Sequence, residues 1–194
     1  MTGPEDILKF WLDEVGPSKW YAVSEELDQE IRDRFEETWK LAKAGSLGQW
    51  LTYPSGALAY IVLTDQMPRN MFRGTGKAFA SDRAGLSAAK QAIHHRWDMR
   101  IDEPARQFFY LPLMHSENLC DQERCVRLMK ERMPEAGVGN LLHARAHREV
   151  IRMFGRFPYR NEALDRCSTA AEKDYVAKGG YGITVQTLQT KQAA

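Results

Sequence analysis

Three segments of this 194-residue chain concentrate side chains that can do acid–base or anion-binding chemistry. In the first segment, the apolar run Ala57–Leu63 leads into Asp65, and Arg69 follows four residues later. Side chains four apart lie on one face of a helix, so this spacing predicts an ion pair. A charge at the end of a buried helix must be paired or must meet a ligand, because desolvating it alone costs several kcal/mol. The segment predicts either a structural Asp–Arg pair or part of a ligand site.

The second segment is an aromatic and aliphatic run that ends in His115, Ser116 and Glu117, with Asp121 shortly after. A histidine oriented by a carboxylate can act as a general base, so we predict His115 as the base and Glu117 or Asp121 as its partner. Ser116 lacks the glycine-flanked turn of GxSxG nucleophiles and is predicted to cap the next helix. The alternative for His115 is a place in a buried structural network.

The third segment, 147–161, is rich in arginine. Arg148, Arg152 and Arg156 repeat every four residues, so the first two share a helix face. Several guanidinium groups near one place bind carboxylate or phosphate well through their planar forks. They also serve as bridges to carboxylates of the protein, and this structural alternative stays open here.

Familiar cofactor and metal motifs are absent from the sequence. Gly74–Lys77 lacks the leading glycine and the following Ser or Thr of a phosphate-binding loop, and no GxGxxG stretch occurs. His143 and His147 lie one helical turn apart, as zinc ligands can, but no third ligand is evident. We therefore predict no cofactor and no metal site.

Composition limits the partners and the compartment. A formal net charge of +1 gives no global field to attract nucleic acid or an anionic membrane. The longest apolar run is far shorter than the ~20 residues that cross a bilayer, and the first residues lack the pattern of a signal peptide. Three cysteines without a CxxC pair favour a reducing compartment. We predict a cytoplasmic protein with neither a nucleic-acid nor a membrane partner.

Proline, serine and glycine positions mark a series of helices. Pro4 suits a first helical turn, Ser24 can cap a second helix, and Pro54 opens a third. The third is apolar on all sides, which favours a buried helix over the alternative of a buried strand. Pro68 is predicted to stop or kink it, because proline has no N–H and clashes with the preceding turn. Further helices are predicted at about 82–96, from Pro104, at 118–133, at 141–154, and after a capping box at Thr169–Glu172.

About eight helices with short connections predict an all-α fold of stacked antiparallel helical hairpins. No 34-residue repeat signature is present, so a regular repeat array is not predicted. We expect one helical domain over residues 1–180. The polar residues 181–194 are expected to form a loose C-terminal tail.

The three segments resemble a mainly bacterial family, domain of unknown function 924. The resemblance rests on Asp65–Gly74, Phe108–Glu117 with Asp121 and Gln122, and His147–Asn161, and it extends from Phe10 to Gly179. It implies a tetratricopeptide-like α–α superhelix without the repeat signature, and no established activity. Two positions depart from the family pattern. Tyr159 stands where the family usually has His, and Asp165 where it usually has Gly; if that His carries a proton, catalysis by this chain is in doubt.

Carried over position by position, the resemblance implies one polar centre built from the three segments. Its members are Asp65, Arg69, Asn70, Arg73, His115, Glu117, Asp121, His147, Arg152, Arg156, Arg160 and Asn161.

Two main functional hypotheses follow, beside a third, less favoured one, a metal-dependent enzyme that uses His143 and His147. In the first, His115, Glu117 and Asp121 are candidate catalytic residues, and the remaining members bind a small anionic ligand, with hydrolysis as a further option. In the second, the chain is a helical scaffold for a peptide or a protein, and the polar residues form internal struts. Whether the protein is an enzyme stays open.

Overall fold

The computed structural model describes residues 2–193 and contains ten α-helices within them. No residue in this range forms a strand, so the all-α prediction is confirmed, while the tetratricopeptide-like arrangement stays a prediction. The α-helices are α1 (Pro4–Leu8), α2 (Glu25–Lys43), α3 (Pro54–Ile61), α4 (Met67–Met71), α5 (Asp82–His94), α6 (Leu111–His115), α7 (Leu119–Arg132), α8 (Val138–Phe154), α9 (Ala170–Ala177) and α10 (Gly180–Ala193). Shorter π-helical and 3₁₀ turns are Lys9–Val15, Gly48–Thr52, Val62–Gln66, Gly76–Phe79, Trp97–Arg100, Ala105–Phe109 and Pro158–Arg160.

The chain forms two compact units, where the sequence predicted a single domain over 1–180. The N-terminal unit is Met1–Pro112 and the C-terminal unit is Leu113–Ala194. Each unit contains part of the predicted polar residues.

Helix α3 is the centre of the N-terminal unit. Every residue from 56 to 68 is buried, and α3 packs against α1 and α5. This confirms the prediction of a buried helix rather than a buried strand. The apolar face of α2, formed by Ile31, Phe35, Trp39 and Ala42, is buried as well, and Ser24 caps that helix by accepting a hydrogen bond from the N–H of Leu27.

Pro68 was predicted to stop or kink the helix, and the stop is wrong, because the helical run continues past it. The π-helical turn Val62–Gln66 connects α3 to α4, and the N–H of Met67 donates to the carbonyl of Val62, five residues earlier. Pro68 occupies the first turn of α4, where a missing N–H is tolerated. In a regular helix the carbonyl of Thr64 would accept from residue 68; here it accepts from the Ser81 hydroxyl, 2.6 Å away. Because Ser81 satisfies this carbonyl, the helical run continues past the proline.

The C-terminal unit is built on α7, α8 and α10. Helix α7 packs on α8, and α10 packs on the other elements through α8 and α9. Asn118 caps α7, since its side chain accepts from the N–H groups of Cys120 and Asp121; the predicted cap, Ser116, donates instead to Asp121 at 2.9 Å. The capping box at Thr169 and Glu172 is confirmed by two reciprocal hydrogen bonds of 2.7 and 3.2 Å.

Residues 181–194 were predicted to form a loose tail, but in the structure residues 180–193 form helix α10. Two features near its start hold it in place. Tyr181 packs on a buried apolar cluster that includes Val150 and Phe157, and Thr184 bonds to the Tyr175 hydroxyl at 2.9 Å. The segment shows no helical apolar stripe in its sequence, which is why its polarity suggested a free tail.

Candidate functional site

Asp65 and Arg69 form the ion pair that their spacing predicted. The Arg69 Nη2 lies 3.3 Å from Asp65 Oδ1 and 3.1 Å from Asp82 Oδ1, at the start of α5. Asp65 is only 1% exposed, and it also accepts a hydrogen bond from the neighbouring Gln66 amide. The two aspartates hold Arg69 between the π-helical turn and α5. These ion pairs connect the π-helical turn to α5 within the N-terminal unit.

Asn70 and Arg73, which follow in the same segment, line an open groove of about 780 Å³. One wall is helix α2, and the other is the end of α4 with the turn after it. The lining residues are Glu25, Asp28, Gln29, Arg32, Glu36, Asn70, Met71, Phe72, Arg73, Gly74, Thr75 and Lys77.

Asp28 accepts hydrogen bonds from two other side chains of this groove. Its carboxylate accepts two hydrogen bonds from Arg73, of 2.6 and 2.9 Å, and one of 2.8 Å from the Asn70 amide. Burial by itself would raise the pKa of Asp28. The hydrogen bonds from Arg73 and Asn70 and the positive charges of Arg73 and Arg32 outweigh it, so the pKa of Asp28 is lowered. Asp28 is therefore a carboxylate that is bound by Arg73 and lies in the electrostatic field of Arg32.

Arg32 donates its hydrogen bonds to a backbone carbonyl and an amide oxygen rather than to a carboxylate. Its Nε lies 3.0 Å from the Met71 carbonyl, its Nη2 donates to that same carbonyl, and its Nη1 donates to the Gln29 side chain. Both acceptors are uncharged. At the other end of the groove, Lys77 pairs with Glu36 at 2.9 Å and lies over the Phe72 ring. The groove thus contains one guanidinium, that of Arg32, whose positive charge is only partly balanced by Asp28.

In the C-terminal unit, Glu117 is held by Arg166 and by the backbone of Phe157. Its two oxygens lie 2.7 and 3.0 Å from the Arg166 guanidinium, and one accepts the Phe157 N–H at 2.8 Å. Burial alone would raise the pKa of Glu117, but these donors lower it. Asp121 accepts from Ser116. Glu117, one of the two predicted orienting carboxylates, therefore makes its ion pair and its backbone hydrogen bond within the C-terminal unit.

His115 and His147 lie near each other in this unit, with ring centroids 6.4 Å apart. The Nδ1 of His147 is 2.9 Å from the His143 carbonyl, which can only accept, so Nδ1 carries the proton of a neutral ring. Burial, together with the nearby positive charge of Arg160, lowers the pKa of His147 to about 3. Arg160 donates to the His115 carbonyl at 3.0 Å and lies over the Phe157 ring. His147 is thus neutral at physiological pH.

The other predicted arginines of the third segment make ion pairs within the C-terminal unit. Arg152 pairs with Glu149 at 2.8 Å and also with Glu123. Arg156 binds both oxygens of Glu172, at 2.6 and 2.8 Å, and these bonds lower the pKa of Glu172 to about 2. Asn161 is buried beside the same glutamate and donates to Ser168 at 3.0 Å. These contacts agree with the structural alternative for this segment.

Three groove residues were missed by the sequence analysis: Asp28, Arg32 and Lys77. Asp28 and Arg32 are four apart on α2, which is a signal for an ion pair on one helix face. Their actual partners, Arg73 and the Met71 carbonyl, lie about 40 residues further along the chain. Spacing along one helix carries no information about such partners.

Neither a metal cluster nor a membrane span is found in the part of the chain that the structure describes. Among residues 2–193, no three His, Cys, Asp or Glu side chains are grouped so that they could hold a metal ion. No helix in this range is both long enough and apolar enough to span a bilayer.

Comparison with known proteins confirms the family resemblance. The chain is similar to a solved structure of a protein of unknown function from Agrobacterium tumefaciens, with a TM-score of 0.84 and 37% sequence identity over 90% of this chain and 97% of that one. No curated protein matches the chain. The model of a family described as a bacterial protein of unknown function, DUF924, matches residues 7–180. The chain belongs to the DUF924 family.

Proposed function

We propose that the groove of the N-terminal unit binds a small anionic ligand. The observation that carries this proposal is the charge of Arg32, whose hydrogen-bond acceptors are a backbone carbonyl and an amide oxygen. Asp28 is bound by Arg73, and it influences Arg32 only through its electrostatic field. A ligand carboxylate or phosphate would supply the second counter-charge.

The donors needed for such a ligand are present. A guanidinium has five N–H groups, and the hydrogen bonds of Arg32 use three of them. Arg73 commits two N–H groups to Asp28, and its side chain is 42% exposed. Planar forks of this kind suit carboxylate and phosphate oxygens. Lys77 also lines the groove, where it is paired with Glu36.

The proposal is limited to binding. Hydrolysis with His115 as the base, oriented by Glu117 or Asp121, is a separate hypothesis for the C-terminal unit. The alternative function, a scaffold that binds a peptide, is favoured if the test below fails.

Calorimetric titration with inorganic phosphate, and separately with succinate, tests the proposal at low ionic strength. We expect saturable binding that weakens as salt is added, because exposed charges are screened. Arg32→Met should weaken binding about tenfold or more, since a hydrogen bond to a charged group contributes about 1.5–3 kcal/mol. The matched control is Arg83→Met, at an exposed arginine on α5 outside the groove lining.

Two results would overturn the proposal. One is the absence of saturable binding by either anion in the millimolar range, and the other is equal affinity of the Arg32 and Arg83 variants. Either result would leave the peptide scaffold as the better hypothesis for the groove.

A further inference from the structure

A second cavity in the N-terminal unit differs in chemistry from the charged groove. It has a volume of about 440 Å³ and lies beside α3 and α5. Small-molecule sites commonly have volumes of about 300–1,000 Å³. The cavity is lined by Leu51, Ala57, Tyr60, Ala84, Ser87, Ala88, Gln91, His95 and Trp97.

The lining of this cavity contains no Asp, Glu, Lys or Arg among the residues that the structure describes. In the groove of the proposed function, by contrast, half of the lining residues are of these four types. A charged group that entered the second cavity would lose water without gaining a counter-charge, which is unfavourable. The cavity therefore suits an uncharged occupant.

Short side chains on one face of α5 leave the space open. Ala84, Ser87, Ala88 and Gln91 are spaced at i, i+3, i+4 and i+7, so they share one helix face. Ser87 and Gln91 are solvent-exposed and bring a hydroxyl and an amide to the cavity. A site of this type needs only a few polar groups to orient a ligand.

Flat aromatic rings form the remaining walls. The rings of His95 and Trp97 are stacked, with centroids 5.0 Å apart and an interplanar angle of 28°. Tyr60 is buried, and its hydroxyl donates to the Ala42 carbonyl at 3.3 Å. With its hydroxyl engaged there, Tyr60 contributes mainly ring surface to the cavity. Such walls pack best against another flat ring.

We propose that this cavity binds an uncharged planar heteroaromatic ring, of one or two fused rings, belonging to a small molecule. The Trp97 and Tyr60 rings contact its apolar surface, and Ser87 and Gln91 hydrogen-bond to its polar edge. This site is separate from the anion-binding groove and does not depend on it.

Proton–nitrogen NMR of the full chain, titrated with indole, tests this proposal. We expect saturable shifts in the millimolar range that are centred on the lining residues. Indole-3-carboxylate, which has the same ring with a negative charge, should bind about tenfold more weakly, because the cavity offers no counter-charge. Ser87→Leu, which fills the mouth of the cavity, and Trp97→Ala, which removes one wall, should each weaken indole binding about tenfold.

The matched control is Ala44→Leu, at an exposed position in the same unit, which should bind indole as the wild type does. Ser87→Leu keeps the test informative if Trp97→Ala fails to fold. Non-saturable shifts with indole, equal binding of the carboxylate, or unchanged binding by Ser87→Leu would each overturn the proposal.

Discussion

Arg73 and Asp28 meet in a two-pronged ion pair, with Nε 2.6 Å from Oδ2 and Nη2 2.9 Å from Oδ1. This pair ties the turn after α4 to helix α2. It also makes Asp28 the internal competitor of any anion that enters the groove, because an incoming oxygen must share Arg73 and Arg32 with this carboxylate.

Asp28→Asn should therefore increase the affinity of the groove for inorganic phosphate several-fold, as measured by calorimetry. The cost in the free energy of unfolding should be at most about 1 kcal/mol, since an ion pair with a partly exposed arginine is screened by solvent. Glu37→Gln, at an exposed position on the same helix, is the control and should change neither quantity. Weaker phosphate binding by Asp28→Asn would mean that the carboxylate positions the arginines rather than competing for them.

The stability of the chain should fall with acidity because of His147. Its pKa is about 3 in the folded protein and about 6.5 in an unfolded chain. The unfolded state therefore binds the proton first. The stabilising contribution is complete above about pH 6.5 and is lost, at about 1.4 kcal/mol per pH unit, as the pH falls towards the folded pKa.

Urea unfolding measured between pH 7 and pH 5 checks this dependence. His147→Gln keeps an N–H donor near the His143 carbonyl but removes the titration, so its stability should vary less steeply with pH than that of the wild type. His95→Gln alters an exposed histidine and serves as the control. If His147→Gln and wild type lose stability in parallel, His147 is not the group responsible.

Asp165 should be a site where glycine stabilises the protein. Its φ is +51°, in the left-handed region that favours glycine, and the residue is exposed. The family resemblance of the sequence implies glycine at this position, which fits the backbone observed here. Asp165→Gly should raise the free energy of unfolding by up to about 1 kcal/mol, because relief of backbone strain exceeds the entropic cost of glycine. Asp165→Ala should lower the free energy of unfolding. Thermal unfolding of the two variants measures this, and a more stable alanine variant than glycine variant would contradict the prediction.

Much of the fold could be predicted from the sequence because its signals are local. The cap at Ser24, the capping box at Thr169 and the all-apolar helix from Pro54 each depend on a few neighbouring residues. The continuation of the helix past Pro68 could not be predicted, since it depends on a hydroxyl from Ser81, 17 residues away.

The residue types of the candidate site could be predicted from the sequence, but most of the ion-pair partners could not. The Asp65–Arg69 pair follows from spacing within one helix, and the structure confirms it. The partner of Glu117 is Arg166, 49 residues away, and that of Arg73 is Asp28, 45 residues away. Side chains of one charge sign can pair with many others along the chain, and only the packing of helices selects among them.

The π-helical turn at Val62–Gln66 has a consequence for how the groove tolerates changes in chain length. Such a turn is equivalent to a single-residue insertion into an α-helix. Because the turn accommodates the extra residue locally, the helices on either side keep their faces, and Asn70 and Arg73 reach Asp28. A one-residue deletion inside it would restore a regular α-helical turn and keep those faces, but it would bring the Pro68 ring against the carbonyl four residues before it. Related chains that carry this deletion should therefore keep the groove and have another residue in place of this proline.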